Sequence, residues 1–366
     1  MVGHRSNEQL AELRALLIPP QEAMLRSRFE LVHVPLRLIT SGWHRLVVAA
    51  PDRVFVFPRH GGEVPGIERE AHVLTETRLK VAPRLVGLHR EAGISPYPFL
   101  ELSRVPGNSY DAMIDQLDAG DAATALADLG RRIAEWHCIP TPTALAAAPT
   151  HREPPRVAGL WIDPASVEET VAWASDLLSP YLGKVPRNAW LDVLSAVGAM
   201  GQVTVHGELS EGQFLLDHRY RVTGVVDWDA LHFGHPLLDF NFGVGGVGVH
   251  RDKRELRSSM WKAYVTARGN DLPDLAVVEM FWGLLDATTL VETDGTDPRL
   301  PKALANANPA RPWLATPGSN RPAYPTGTNK SVRRSSGAVV SCGLTNSAIS
   351  GPCARRRQAA GQDDPP

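Results

Sequence analysis

The residues with the clearest chemical potential lie between positions 203 and 243. A short apolar run ends at His206-Gly207-Glu208, Gln213 follows, and a later apolar run ends at Asp227-Trp228-Asp229. Short β-branched runs separated by turn residues predict strands and a hairpin, so the polar groups would cluster at strand ends. Phosphoryl transfer needs a group that orients or deprotonates the attacking hydroxyl, and oxygen ligands that hold Mg²⁺. Glu208 would supply the first, and Gln213 and Asp227 the second.

The spacing of these residues resembles the aminoglycoside phosphotransferase and choline kinase family, whose members are related to the protein kinases. The family pattern is H-G-D-x-x-x-x-N followed by a strand-borne D-W-x, and this chain reads H-G-E-L-S-E-G-Q and then D-W-D. Residues 234–239 are similar to the family's G-D-P-x-x-D segment, in which the last Asp braces the catalytic loop. The resemblance implies ATP and Mg²⁺ as cofactors, Glu208, Gln213 and Asp227 as catalytic residues, and His206 as a brace for the loop.

Two departures from the family pattern fall on catalytic positions. Glu208 stands where the family has Asp, and Gln213 stands where it has Asn. Each change keeps the functional group and adds one methylene, and a displacement of about 1 Å can lower a rate by ~10²-fold without abolishing it. We therefore predict a lengthened but working site. The alternative is a catalytically degenerate protein that binds a nucleotide or metabolite without transferring phosphate.

The N-terminal third predicts a small sheet that would cover the nucleotide. Apolar runs indicate strands over 36–43, 45–50 and 53–57, and the first turn contains Ser41 and Gly42. In the family, the third strand carries Lys or Arg just before a segment like Phe57-Pro58-Arg59. This chain has Val56 there, so one phosphate contact would be missing unless Arg53 or Arg59 reaches in.

A helix over 66–79 carries Glu70, which resembles the glutamate that pairs with that family cation. Because the cation is absent at position 56, a solvated acid on the helix surface is the competing interpretation. A strand over 97–105 leads into Pro106-Gly107, similar to the family's crossover between lobes. The resemblance implies that backbone groups of Ser103 and Val105 meet adenine.

The rest of the chain predicts a mostly helical second lobe and a different tail. Helices are predicted over 122–137, 167–182, 189–200, 251–267 and 275–292, with acids near the last helix (Asp286, Glu292 and Asp294) available to an amine-bearing ligand. Residues 1–300 carry 29 basic and 38 acidic side chains, whereas 301–366 carry nine and two. The basic tail is rich in Pro, Ser and Gly, which predicts disorder more than a nucleic-acid-binding arm.

Three other patterns carry little weight. Residues 243–248 match G-x-G-x-x-G without a βαβ unit, and His250-Arg251-Asp252 copies a protein-kinase triplet in the wrong place. His232 and His235 share one loop without a clear third ligand, so structural roles are favoured over a metal site.

Composition sets the remaining limits. The 366 residues and 43% hydrophobic content suffice for two lobes. No apolar run approaches the ~20 residues of a membrane span, and the opening residues lack a signal-peptide core. The 3 cysteines are odd in number and widely spaced, which argues against a disulfide framework. We expect a cytoplasmic protein with no membrane partner and no nucleic-acid partner.

These observations predict an α+β, two-lobed protein-kinase-like fold with a small antiparallel N-lobe sheet and a mostly helical C-lobe. The predicted boundaries are 1–105 for the N-lobe, 106–298 for the C-lobe and 299–366 for a disordered tail. The predicted activity is ATP-dependent phosphorylation of a hydroxyl on a small molecule, which is aminoglycoside-like or another amine-bearing metabolite.

Overall fold

The structure is a computed structural model that describes residues 19–39, 45–147, 167–240, 242, 254–269 and 272–308. A small lobe is built on a five-stranded antiparallel sheet with strand order β1-β2-β3-β5-β4, and a larger lobe is mainly helical. This confirms the predicted α+β, two-lobed fold.

The strands are β1 Arg37–Ile39, β2 Arg45–Ala49, β3 Arg53–Pro58, β4 Leu85–His89, β5 Phe99–Ser103, β6 Asn108–Ser109, β7 Val203–Val205, β8 Phe214–Leu216, β9 Val222–Val225 and β10 His232–Gly234. The helices are α1 Pro19–Arg28, α2 Val64–Glu76, α3 Tyr110–Met113, α4 Ala119–Trp136, α5 Val167–Leu182, α6 Arg187–Gly198, α7 Arg254–Arg268, α8 Leu275–Asp294 and α9 Leu300–Ala307.

The register of β2 against β3 determines which side chains face helix α2. Val47 lies opposite Val56, and Arg45 lies opposite Pro58. Because side chains alternate between the faces of a strand, Arg45 shares a face with Val47 and Val56. Val56 is buried on that face with Ile67 of α2. The sheet therefore presents Arg45 to the helix that carries Glu70.

Helix α4 supports the larger lobe. It begins at an N-cap, where the Asp118 side chain accepts a hydrogen bond from the backbone N of Asp121 at 2.8 Å. Its apolar face is buried (Leu126, Leu129, Ile133 and Trp136). Trp136 meets Trp228 edge to face at a ring-centroid distance of 5.4 Å. The end of α4 thus packs directly beneath the segment that follows β9.

Five short strands, in one three-stranded and one two-stranded sheet, position the site. Strands β8 and β9 form the predicted antiparallel hairpin, and β6, which follows the crossover between lobes, pairs with β8. Strand β7 pairs instead with β10, a strand that the sequence did not predict. As a result, the residues after β7 and β9 meet at one place, next to the crossover.

Two features differ from the sequence-based expectations. Helix α9 occupies the start of the segment predicted as a tail from 299, and it buries apolar residues at helical spacing (Leu300, Ala303, Leu304 and Ala307). Trp190 also donates a hydrogen bond to the carbonyl O of Ala307 at 2.8 Å. The folded part therefore extends through α9, and residues 309–366 lie outside the described residues. Cys138 is disulfide-bonded, contrary to the expectation from the cysteine count, and its partner lies outside the described residues.

In the described part of the chain, no helix combines the length and apolarity needed to cross a membrane. The cytoplasmic location and the lack of a nucleic-acid partner stay predictions.

Candidate active site

The loop after β7 has a conformation that depends on glycine. Gly207 has φ = 87°, and a Cβ there would lie 2.6 Å from the carbonyl O of Ala230. Before it, His206 is fully buried, donates through Nε2 to the carbonyl O of Val226 at 3.1 Å, and packs on Trp228. After it, the side chain of Glu208 is exposed. The loop thus buries the side chain of His206 and leaves that of Glu208 exposed to solvent.

A second anchor for this loop is Asp239, as the resemblance implied. Its Oδ1 accepts a hydrogen bond from the backbone N of Gly207 at 2.9 Å. Its Oδ2 accepts from the backbone N of His206 at 2.9 Å, from Trp136 Nε1 at 2.7 Å and from His137 Nε2 at 3.0 Å. We call these five residues the brace. Four donors on one buried carboxylate fix the loop without involving a group from outside the protein.

The electrostatics of the brace are balanced internally. Burial alone would raise the pKa of Asp239, but the hydrogen bond and charge of His137 outweigh burial and lower that pKa below its ordinary value. Burial lowers the pKa of His137, and its Nδ1 lies 2.9 Å from the hydroxyl of Tyr264. Both ring nitrogens of His137 are therefore partnered within the protein.

Three carboxylates converge beside the loop. One oxygen each of Glu208, Asp227 and Asp229 lies within 4.8 Å of the others. Asp227 adopts left-handed backbone angles, φ = 71° and ψ = 57°, which are uncommon for a residue with a side chain and occur often at functional sites. Asp229 is buried, whereas the Asp227 side chain is 37% exposed. The exposed edge of the group is therefore formed by Glu208 and Asp227.

Gln213 orients Asp227. Its Nε2 donates to Asp227 Oδ2 at 3.0 Å, and its Oε1 accepts from the backbone N of Ser210 at 2.7 Å. Because a backbone N–H can only donate, it fixes which end of the amide faces Ser210. The amide nitrogen, and not the oxygen, therefore points to the carboxylates. The predicted metal-binding role of Gln213 stays a prediction, and sequence reasoning overlooked Asp229, although it belongs to the D-W-D triplet.

A buried arginine from strand β2 completes this group. The Arg45 guanidinium makes a short ion pair with Glu70, and it lies 3.2 Å from Asp227 Oδ1 and 2.9 Å from Asp229 Oδ2. We call Glu70, Asp227, Asp229 and Glu208 the acid cluster. The Glu70 side chain is 2% exposed and also accepts from the backbone N of Trp228 at 3.3 Å. The competing interpretation of Glu70 as a solvated surface acid is therefore wrong.

Neither arginine suggested by the sequence makes this contact. Arg53 pairs with Asp52 and with Glu101, on the other face of the sheet from Val56. Arg59 donates to the backbone carbonyl of Arg45 at 3.5 Å. The cation beside Glu70 comes from the neighbouring strand, which a position-by-position comparison with the family motif did not consider.

Arg45 faces three carboxylates of the acid cluster. Burial raises the pKa of Glu70. The charge of Arg45 lowers this pKa, whereas the charges of Asp227 and Asp229 raise it further. Burial would lower the pKa of Arg45, but the charges of its three carboxylate partners raise it above the ordinary value. Arg45 therefore stays charged, and a further cation would relieve the repulsion among the acids.

Two contacts hold the helix bearing Glu70 close to the loop. A Cβ on Gly66 would lie 3.0 Å from Asp229 Oδ2 and 3.3 Å from Arg45 Nη2, so glycine leaves room for their ion pair. Arg69 donates to the carbonyl O of Asp229 at 2.9 Å and to that of Leu231 at 2.6 Å. Helix α2 of the small lobe is thus tied to the large lobe at the site.

The predicted nucleotide-contacting residues are only partly described. Ser41 and Gly42 lie outside the described residues. The backbone N of Ser103 donates to the carbonyl O of Arg84 at 2.8 Å, so it is already used within the small lobe. Val105 is half-buried after the end of β5. Contact of Ser103 and Val105 with adenine stays a prediction.

The two loop histidines have structural roles, as predicted. His232 Nδ1 donates to the carbonyl O of Ala230 at 2.8 Å, and His235 Nε2 donates to that of Val197 at 2.9 Å. Burial lowers the pKa of His235 to about 4. The patterns at 243–248 and 250–252 lie outside the described residues.

Comparison with known proteins gives one family and several related structures. A model of the phosphotransferase enzyme family matches residues 35–279, a range that includes the acid cluster, Arg45 and the brace, and this confirms the resemblance found in the sequence. A GDP complex of a mutant aminoglycoside 2′-phosphotransferase IIIa is similar at 16% identity over 78% of this chain and 90% of that chain, with a TM-score of 0.49. A macrolide 2′-phosphotransferase from Brachybacterium faecium is similar at 18% identity over 82% and 98%, with a TM-score of 0.48.

Proposed function

We propose that this chain, which belongs to the phosphotransferase enzyme family, transfers the γ-phosphoryl group of ATP to a hydroxyl group of a small molecule. The observation that carries the proposal is the position of Glu208. Its exposed carboxylate lies beside those of Asp227 and Asp229, on a loop fixed by Asp239. A proton acceptor next to a site for a divalent cation is the arrangement that phosphoryl transfer requires.

The carboxylates suit Mg²⁺. This ion prefers oxygen ligands, and the three carboxylate oxygens are close enough to share one ion. Asp227 belongs both to the predicted metal ligands and to this group of three carboxylates, so we assign it the central role, with Asp229 adding an oxygen and Glu208 reserved for the substrate hydroxyl. Gln213 would hold Asp227 in place through its amide. When bound, the ion neutralises charge on the phosphates and helps to orient them.

The proposed reaction uses Glu208 as the group that orients and deprotonates the substrate hydroxyl. The hydroxyl oxygen forms a bond to the γ-phosphorus, while the bond from that phosphorus to the β,γ-bridging oxygen breaks. The electron pair of the broken bond leaves with ADP, and the hydroxyl proton passes to the Glu208 carboxylate, which later releases it to water. His206 takes no part in proton transfer, because its ring is buried beneath the loop.

An amine-bearing substrate fits the net negative charge of the first 300 residues. Residues 1–300 hold 38 acidic against 29 basic side chains, and an acidic surface attracts cationic ligands. The related structures include a kanamycin complex and a gentamicin complex of aminoglycoside phosphotransferases. On helix α8, Glu292 is exposed and Asp286 is half-buried, and both stay candidates for substrate contact.

The missing basic residue at position 56 would favour the competing hypothesis of a binder without transferase activity. Because Arg45 supplies a cation beside Glu70 from the adjacent strand, the valine no longer favours that hypothesis.

The deciding experiment is a transfer assay. Purified protein is mixed with ATP or GTP and Mg²⁺, together with aminoglycosides, macrolides, choline or amino alcohols in separate reactions. Nucleoside diphosphate release and an 80 Da mass increase of the acceptor, the mass of one HPO₃ group added in phosphoryl transfer, identify transfer. A parallel series with Glu208→Ala and one with EDTA should show neither. Nucleotide binding without transfer to any acceptor would instead support the degenerate binder.

A further inference from the structure

The arginine on strand β2 has a setting that a structural ion pair alone does not require. Arg45 is 12% exposed and contacts three carboxylates, of which Glu70 is buried and Asp227 is partly exposed. We infer that Arg45 binds the phosphate groups of the nucleotide, in place of a basic residue at position 56 of strand β3. The inference rests on the proposed function, because it assumes a nucleotide in the site.

The register of the sheet allows a basic residue on β2 to take the place of one on β3. Position 45 lies two residues from Val47, which is directly opposite Val56. Diagonal neighbours on one face of an antiparallel pair are about 7–8 Å apart, within the reach of a long side chain. A basic group can therefore reach Glu70 from either strand. In this chain position 56 is apolar and buried with Ile67 and Leu100, so the charge comes from β2.

The charges around Arg45 explain why a phosphate would bind there. Glu70 anchors one edge of the guanidinium from a fully buried position, and it would hold the group in place throughout. Asp227 is partly exposed and is also the central candidate for Mg²⁺. Once Asp227 turns to a cation, the guanidinium loses one carboxylate, and a phosphate oxygen can replace it. The planar fork of arginine suits two parallel hydrogen bonds to phosphate.

Two other arginines of the small lobe, Arg53 and Arg69, make their contacts away from Glu70. Arg53 pairs with Asp52 and Glu101 on the opposite face of the sheet. Arg69 donates to backbone carbonyl groups of the large lobe. These contacts make Arg53 a suitable control, because it is an ion-paired arginine of the same sheet that faces away from Glu70.

The test compares a nucleotide with its nucleoside. Calorimetry would measure the binding of ATP and of adenosine, both with Mg²⁺, to the wild type, Arg45→Met, Arg45→Lys and Arg53→Met. We expect Arg45→Met to weaken ATP binding by roughly tenfold or more and adenosine binding by no more than about twofold, since only ATP carries phosphates. Arg45→Lys keeps a charge beside Glu70 and should lose less. Arg53→Met should change neither affinity.

A second variant tests whether a cation on β3 can replace the one on β2. Recovery of ATP binding in this variant would also show that the loss in Arg45→Met is not due to misfolding. The double variant Arg45→Met/Val56→Lys should regain at least part of the lost ATP affinity, because the charge returns from the adjacent strand. Equal loss of ATP and adenosine binding in Arg45→Met, or unchanged ATP binding, would overturn the role of Arg45 and leave the proposed function intact. A wild-type protein that binds neither ATP nor GTP would overturn both.

Discussion

Two acidic centres adjoin the same loop and are stabilised in different ways. In the brace, Asp239 accepts four hydrogen bonds from the protein, and the result is a carboxylate whose pKa lies below its ordinary value. In the acid cluster, Glu70, Asp227 and Asp229 all contact the guanidinium of Arg45, and the pKa of Glu70 lies above its ordinary value.

The difference separates architecture from function. A buried carboxylate that accepts four hydrogen bonds from the chain needs no further partner, whereas the repulsion from Asp227 and Asp229 that raises the pKa of Glu70 would be relieved when a cation binds beside them. The brace should therefore govern stability with little effect on ligand affinity. The acid cluster should govern nucleotide and metal binding.

The largest expected effect is at Glu208. Glu208→Gln keeps the size of the side chain but removes the proton acceptor, and general-base contributions are typically ~10²–10⁴-fold in rate. We expect turnover to fall within that range in the transfer assay, with an unchanged melting temperature. Glu211→Gln, in the same loop, is the matched control and should keep its rate. A Glu208→Gln variant with more than about a tenth of wild-type turnover would contradict the assignment.

The next effect concerns the brace. Asp239→Asn places an amide nitrogen against a hydrogen-bond donor and removes the charge that the other donors face. Because each hydrogen bond to a charged group contributes about 1.5–3 kcal/mol, we expect a loss of about 4 kcal/mol. Urea denaturation should show this loss in the free energy of unfolding. Asp217 accepts backbone hydrogen bonds in an exposed turn, so Asp217→Asn should change stability by no more than about 0.5 kcal/mol. Equal, small losses in both variants would remove the distinction between the two centres.

A smaller effect is the pH dependence of the turn that leads to Asp239. Burial lowers the pKa of His235 to about 4 in the folded state, whereas the unfolded value is ~6.5. Between these values the unfolded chain binds a proton that the folded chain does not. Stability should therefore decrease as the pH falls from about 6.5 to about 4, by up to about 3 kcal/mol.

Denaturation at several pH values measures this slope. His235→Asn should flatten it, whereas His218→Asn, at an exposed turn, should leave it unchanged. If the slope is the same in wild type and His235→Asn, the buried imidazole is not its cause.

The smallest effect is on metal-dependent nucleotide binding. Asp227→Asn removes one charge from the acid cluster and should weaken ATP binding in Mg²⁺ by about tenfold, or ~1.4 kcal/mol. In EDTA the wild type and the variant should bind ATP with similar affinity. Asp115→Asn, at an exposed position, is the control. Wild-type binding that is equal in Mg²⁺ and EDTA would contradict the proposed metal site.

The sequence alone determined the family, the two-lobed fold and the order of the central site residues. This was possible because loop residues with fixed chemical tasks recur at fixed spacing. His206, Glu208 and Asp227 can therefore be recognised from a short stretch of the sequence. The helices with a strong apolar period were also predictable, and helix α5 has the predicted bounds, Val167–Leu182. Helix α9 was not predicted, because its eight residues were assigned with the tail on the basis of the composition of the tail. Its buried residues nevertheless follow the same helical period (Leu300, Ala303, Leu304 and Ala307).

Only the tertiary structure decided which groups complete the site. Arg45 belongs to another strand, and its contact with Glu70 depends on the register of β2 against β3, which is set by pairing between strands and not by local sequence. The orientation of Gln213 was equally inaccessible, because it follows from a backbone N–H of Ser210 in the folded loop. Spacing along the chain predicts which residues belong to the site. Contacts between elements far apart in sequence determine which charged groups pair with one another.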